Sequence, residues 1–95
     1  MPFQGEKRKY DRKEVMAFPG FRPGVYGIFK DGVALFVGNS GDIKARMLRH
    51  VSNDNPNITA NEPNIWYAEV MSGQGQAAIE ARQKQLIEEY KPVCQ

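Results

Sequence analysis

Apolar residues in this chain gather in short dense runs separated by polar, turn-forming segments. From Val25 to Phe29 and from Val33 to Val37, almost every position is apolar or aromatic. Val25, Tyr26, Ile28 and Phe29 are strong β-formers. The Lys30-Asp31-Gly32 segment between the two runs carries an Asp-Gly step, which signals a hairpin. Because both faces of these strands are apolar, the pattern predicts a sheet covered by helices on each side. A third strand is expected at Ile65-Trp66-Tyr67-Ala68-Glu69-Val70.

The helical signals lie between and after these runs. Asp11 is placed to cap a short helix reaching about Phe18, with Val15, Met16 and Phe18 on its apolar side, and Pro19-Gly20 ends it. Gly38-Asn39-Ser40-Gly41 is expected to break the second strand, and Ser40 or Asp42 to cap a helix from Ile43 to Val51. On that helix Ile43, Met47, Leu48 and Val51 form the apolar arc, with Arg46, Arg49 and His50 beside it. The polar stretch from Ser52 to Pro63 reads as loop. A last helix runs from Gln76 to Tyr90 and is stopped by Pro92. On its wheel, Gln83 falls at the centre of the arc made by Ile79, Leu86, Ile87 and Tyr90, so its amide needs a hydrogen-bond partner.

The predicted organisation is a basic arm with a short helix over residues 1–20, then one small α/β (α+β) domain over 21–95. That domain holds a three-stranded, mostly antiparallel sheet flanked by helices. A chain of 95 residues has room for one domain. A hydrophobic share of 41% supplies one modest core and argues against global disorder. A single cysteine, Cys94, excludes an internal disulfide and a cysteine-type zinc site, and suits a reducing compartment. No apolar run approaches the roughly 18 residues of a membrane span, and Met1-Pro2-Phe3-Gln4-Gly5 lacks the apolar stretch of a signal peptide. A cytoplasmic protein without a membrane partner is therefore expected. The net charge of +2 says little, but its distribution says more. Lys7, Arg8, Lys9, Arg12 and Lys13 form one basic cluster and Lys44, Arg46, Arg49 and His50 another. Such clusters can follow a phosphate backbone or simply be solvated surface.

Several of these features occur together in one known family. Gly24-Val25-Tyr26 on the first strand is followed by Phe36-Val37-Gly38-Asn39-Ser40 on the second, by Arg46 with His50 one turn later, and by Leu86-Ile87-Glu88-Glu89-Tyr90-Lys91-Pro92 at the end. Over residues 21–95 this order resembles the GIY-YIG nuclease family, which includes the N-terminal domain of the UvrC repair nuclease and homing endonucleases. The resemblance implies metal-dependent phosphodiester hydrolysis with Mg²⁺ or Mn²⁺, and a nucleic-acid partner, DNA in the first place. It implies that Tyr26 helps to activate water, that Arg46 holds the scissile phosphate, and that His50 belongs to the same catalytic group. It also places Gly38, Asn39, Ser40, Lys44 and Arg49 along the nucleic acid. A fixed guanidinium and a metal ion suit this chemistry because the transition state gains negative charge.

Three positions depart from the family pattern. Phe36 stands where the second motif has tyrosine, Gln83 where the last helix has its metal-binding glutamate, and Gln95 where an asparagine follows the Tyr-Lys-Pro ending. A neutral amide is a poor Mg²⁺ ligand beside a carboxylate. Glu80, three residues before Gln83, is a helix neighbour that can substitute from one turn away. Three functions therefore stay open at this point: a weakened endonuclease, a nucleic-acid-binding module without cleavage that needs no metal, and a protein-interaction scaffold.

Overall fold

Turn and capping chemistry sets the element boundaries. In the computed structural model, which describes residues 2–95, the chain runs β1 (Arg8–Lys9), α1 (Arg12–Ala17), β2 (Gly24–Lys30), β3 (Val33–Ser40), α2 (Ile43–Val51), α3 (Pro56–Ala60), β4 (Ile65–Val70) and α4 (Gln76–Tyr90). Asp31 and Gly32 take φ values of 47° and 82°, the left-handed backbone that a two-residue hairpin turn between β2 and β3 requires. Asp11 accepts from the Glu14 N–H at 2.8 Å and Asp42 from the Ala45 N–H at 3.2 Å, so each carboxylate satisfies a helix-terminal donor.

The strands form one antiparallel sheet in the order β1-β4-β2-β3. The sequence pattern predicted three strands; the fourth is β1, where Arg8 pairs with Trp66 and Lys9 with Ile65. Polar residues succeed there because their side chains lie on the core's rim. The Arg8 guanidinium sits 4.8 Å from the Phe18 ring centroid and 5.6 Å from that of Trp66. Two further expectations are corrected. Residues 56–60 form helix rather than loop, capped by Asn55, started by Pro56 and anchored by buried Ile58. Gly38, Asn39 and Ser40 do not break β3 but continue it, paired with Tyr26, Val25 and Gly24.

Both sheet faces are covered, as the doubly apolar strands predicted. On one side Tyr26, Ile28, Leu35 and Trp66 of the strands pack with Val15 of α1, Met47 of α2 and Ile58 of α3; on the other Val25 and Val37 pack with Ile79 and Leu86 of α4. Phe3 joins the second layer, stacked 5.8 Å from both Tyr67 and Tyr90. Gly27 makes room for it, since a Cβ there would stand 2.5 Å from the Phe3 ring. After α4 the tail runs along the outer edge of β3, with the N–H groups of Val93 and Cys94 donating to the carbonyls of Ala34 and Leu35. Among the described residues no helix is long and apolar enough to cross a membrane.

Candidate functional site

The strand register divides the predicted site residues between the two faces of β3. Tyr26, Phe36, Gly38 and His50 meet on the α2 side; Asn39 and Gln83 meet on the α4 side. Both groups flank β3, which is the last strand of the sheet.

On the first face, β2 carries Tyr26 into the core and α2 brings His50 down on it. The Tyr26 hydroxyl lies 2.9 Å from His50 Nε2, and the rings of Tyr26, Phe36 and His50 pack with centroids 5.4 to 6.2 Å apart. Gly38 is glycine for a steric reason: a Cβ would fall 2.5 Å from the Tyr26 hydroxyl oxygen and 2.9 Å from Phe36 Cε2. It lets the tyrosine ring lie across β3, whereas the sequence alone also allowed a phosphate approach or a turn. Phe36 fills the space of a tyrosine ring but offers no hydroxyl.

His50 was read on the basic arc beside the edge of the core; the structure buries it, at 6% exposed. Burial lowers its pKa, Asp54 opposes that shift, and Arg46 and Arg49 reinforce it. Its Nδ1 lies 3.3 Å from Asp54 Oδ1, close enough for charge attraction but outside hydrogen-bond alignment. With the proton on Nδ1, Nε2 accepts from the Tyr26 hydroxyl and Nδ1–H faces the carboxylate. Burial raises the Tyr26 pKa, with Arg46 and Arg49 opposing, so the phenol keeps its proton at neutral pH. Asp54 was not singled out from the sequence, although its i+4 spacing from His50 offered a signal. Tyr10 was missed as well; burial and the charge of Asp54 push its pKa up to about 12.

A pH dependence follows. The folded-state pKa of His50 lies below its ordinary value of 6.5, so protonation favours the unfolded chain. The stability it contributes is complete above that value and lost as pH falls towards the folded pKa. Urea unfolding at pH 7.5 and 5.5 should give a lower free energy at pH 5.5, and His50→Gln should shrink that difference. An unchanged difference in the variant would place the titration elsewhere.

Arg46 lies half-buried on the first turn of α2, near enough for its charge to be felt at Tyr26 and His50. Lys44 is half-buried on the same helix; Arg49 is exposed, its Nε 3.8 Å from Asp54. Ser40 turns inward, its hydroxyl accepting from the Asp42 N–H and donating to the Asp42 carbonyl, both at 3.0 Å.

On the second face, the amide of Gln83 has partners at both ends. Its Oε1 accepts from Asn39 Nδ2, and its Nε2 donates to the Val37 carbonyl at 3.2 Å. Gln95 brackets the same backbone unit: its Nε2 donates to the Val37 carbonyl and its Oε1 accepts from the Val37 N–H, each at 2.9 Å. Gln76 continues the chain, donating to Asn39 Oδ1 at 3.4 Å and to Glu80 Oε2 at 3.1 Å. Glu80 is exposed and engaged with Gln76 rather than with Gln83. Four neutral amides and one outlying carboxylate do not fit Mg²⁺ or Mn²⁺, which favour anionic oxygen ligands. Among the described residues no three His, Cys, Asp or Glu side chains cluster as a metal site.

The fold has close counterparts among solved structures. The magnesium-bound GIY-YIG N-terminal endonuclease domain of UvrC from Thermotoga maritima superposes with a TM-score of 0.75 and 20% identity, covering 88% of this chain and 93% of that one. A tyrosine-to-phenylalanine point mutant of the same domain, bound to its catalytic divalent cation, gives a TM-score of 0.75 at 21% identity, covering 88% and 93%. An asparagine-to-alanine point mutant, also bound to its catalytic divalent cation, gives a TM-score of 0.75 at 20% identity, covering 88% and 92%. No protein-family model matches the sequence, and no curated protein matches it significantly. At this identity the likeness shows the fold: the chain has the GIY-YIG fold.

Proposed function

We propose that this chain is a nuclease-type domain that holds nucleic-acid phosphate, DNA in the first place, on the Tyr26–Arg46–His50 side of β3, and that its hydrolytic activity is weak or lost. The carrying observation is the bonded state of Gln83, whose neutral amide is tied to Asn39 and the Val37 carbonyl.

The comparison supports this assignment of positions. In the UvrC domain the point mutations fall on three tyrosines and one asparagine, successively ten, fourteen and forty-five residues apart. Tyr26, Phe36, His50 and Gln95 are separated by the same intervals. Each of those mutants was bound to its divalent cation, so no single one of those side chains is indispensable for metal binding in that domain. By the same logic Phe36, His50 and Gln95 leave room for a metal here, and Gln83 is the substitution that counts against it.

The remaining groups suit phosphate binding. Arg46 supplies the positive charge, half-buried beside Tyr26 and His50, whose buried side chains are spent on each other: Tyr26 donates its one hydroxyl proton to the neutral His50. Because burial keeps the proton on the Tyr26 phenol at neutral pH, the phenolate that would take a proton from water is scarce, which again favours holding over cleaving.

Fluorescence anisotropy with a labelled DNA duplex, together with nicking of supercoiled plasmid in Mg²⁺ or Mn²⁺, tests this reading. Binding should weaken with salt, and Arg46→Ala should reduce the salt slope by about 1. Nicking should stay near background. Efficient metal-dependent nicking abolished by Arg46→Ala would instead make the chain an active endonuclease, and absence of binding at low salt would leave only a scaffold.

A further inference from the structure

Phe21 is the most exposed large apolar residue described, at 86%, and its backbone sits at φ 58°. Either fact alone is unremarkable. Together they describe an aromatic ring held out in water by a backbone conformation that costs a non-glycine residue on the order of 1–3 kcal/mol. The turn around it is firmly built. The Arg22 side chain donates to the Gly20 carbonyl at 3.3 Å, the Arg22 carbonyl accepts from the Ile43 N–H at 2.9 Å, and the Pro23 carbonyl accepts from the Met71 N–H at 2.7 Å.

The bond to Ile43 fixes where the turn that carries the ring stands. Ile43 opens α2, and Arg46 lies one turn further along that helix. The Phe21–Arg22 turn therefore flanks the helix end that carries Lys44 and Arg46, at the end of the sheet where β2 begins beside Ser40. An exposed ring on a turn bonded to a helix end that carries cations is a pairing suited to unpaired nucleotides: cations take the phosphate, and the aromatic face takes the base.

From this juxtaposition we propose that Phe21 is a base-stacking residue, which receives an unpaired nucleobase flanking the phosphate held at Arg46. The proposal rests on the phosphate-binding reading above and adds a preference for single-stranded or opened nucleic acid. Arg22, on the same turn, supplies a further cation for the adjoining phosphate.

The test compares two labelled single-stranded DNA oligomers of equal length and charge, one with bases and one abasic, against the parent, Phe21→Gly, Phe21→Ala and Arg46→Ala. The parent should prefer the base-containing oligomer by roughly tenfold, the scale of one base–aromatic stack. Both Phe21 variants should lose that preference while binding the abasic oligomer as the parent does. Arg46→Ala should weaken both oligomers alike. Phe21→Gly separates binding from folding, because glycine adopts φ 58° without strain and the variant should melt no lower than the parent. Should the parent bind both oligomers equally, or should Phe21→Ala keep the preference, the stacking role is wrong while phosphate binding stands. Should the parent bind neither, the phosphate-binding reading fails and the stacking role fails with it.

Discussion

Arg82→Ala should lower the unfolding free energy by about 2 kcal/mol, between the costs of breaking an exposed and a buried ion pair, and the melting temperature by roughly 10 °C. The side chains of Arg82 and Glu69 are 11% and 16% exposed, so water screens the pair little. The guanidinium grips the carboxylate as a fork, Nε to Oε2 at 2.6 Å and Nη2 to Oε1 at 3.0 Å. Burial opposes ionisation of Glu69, but the Arg82 guanidinium and the Gln4 N–H outweigh it and the pKa is lowered. Arg82 also donates to the Pro2 carbonyl at 2.9 Å, so one side chain ties α4, β4 and the N-terminal segment together. The alanine variant leaves a half-buried carboxylate without its cation and loosens the segment that seats Phe3. Arg82→Lys keeps the charge without the fork and should fall between the two. Urea unfolding followed by circular dichroism measures all three; a loss below 1 kcal/mol for Arg82→Ala would mean that solvent reaches the pair.

Gln83→Glu should produce the second large effect, and its sign should depend on divalent ions. The new carboxylate keeps the donor from Asn39 but loses the one it gave to the Val37 carbonyl, and it faces that carbonyl oxygen instead. Without divalent ions the variant should be less stable by about 1–3 kcal/mol, the cost of an ill-satisfied polar group. Millimolar Mn²⁺ should recover part of that loss, because a ligand that binds only the folded state stabilises it. The parent should melt at the same temperature with and without Mn²⁺. Thermal unfolding of both proteins with and without Mn²⁺ checks this, and equal responses would remove Gln83 from the metal position.

The strengths and gaps of the sequence reading have physical causes. The β2–β3 hairpin was legible because Asp31-Gly32 can take a backbone that few other pairs tolerate. The helix carrying Arg46 and His50 was legible through its cap and apolar arc. β1 was not, because two basic residues carry no period; they join the sheet through backbone pairing and through rings that residues far along the chain provide. Asn39 illustrates the harder case. Gly-Asn-Ser reads as a turn by composition, yet β3 continues there because Tyr26 needs the room at Gly38 and Gln83 needs the amide at Asn39. Gln83 was recognised as requiring a partner, but its partner could be found only in three dimensions.

The bracketing of Val37 by Gln95 has a consequence for how molecules of this protein behave in a crowd. A side-chain amide carries a donating NH2 and an accepting carbonyl side by side, and here it uses one of each to meet the backbone of Val37 as a neighbouring strand would. With Val93 and Cys94 donating to Ala34 and Leu35, the tail occupies the outer rim at Ala34, Leu35 and Val37. At the opposite rim β1 is only two residues long and both are cationic. Exposed ladders recruit strands from other chains and so begin aggregation, whereas short, charged or covered ones do not. The sheet is thus guarded over part of each rim, by a tail along the middle of β3 at one and by the brevity and charge of β1 at the other.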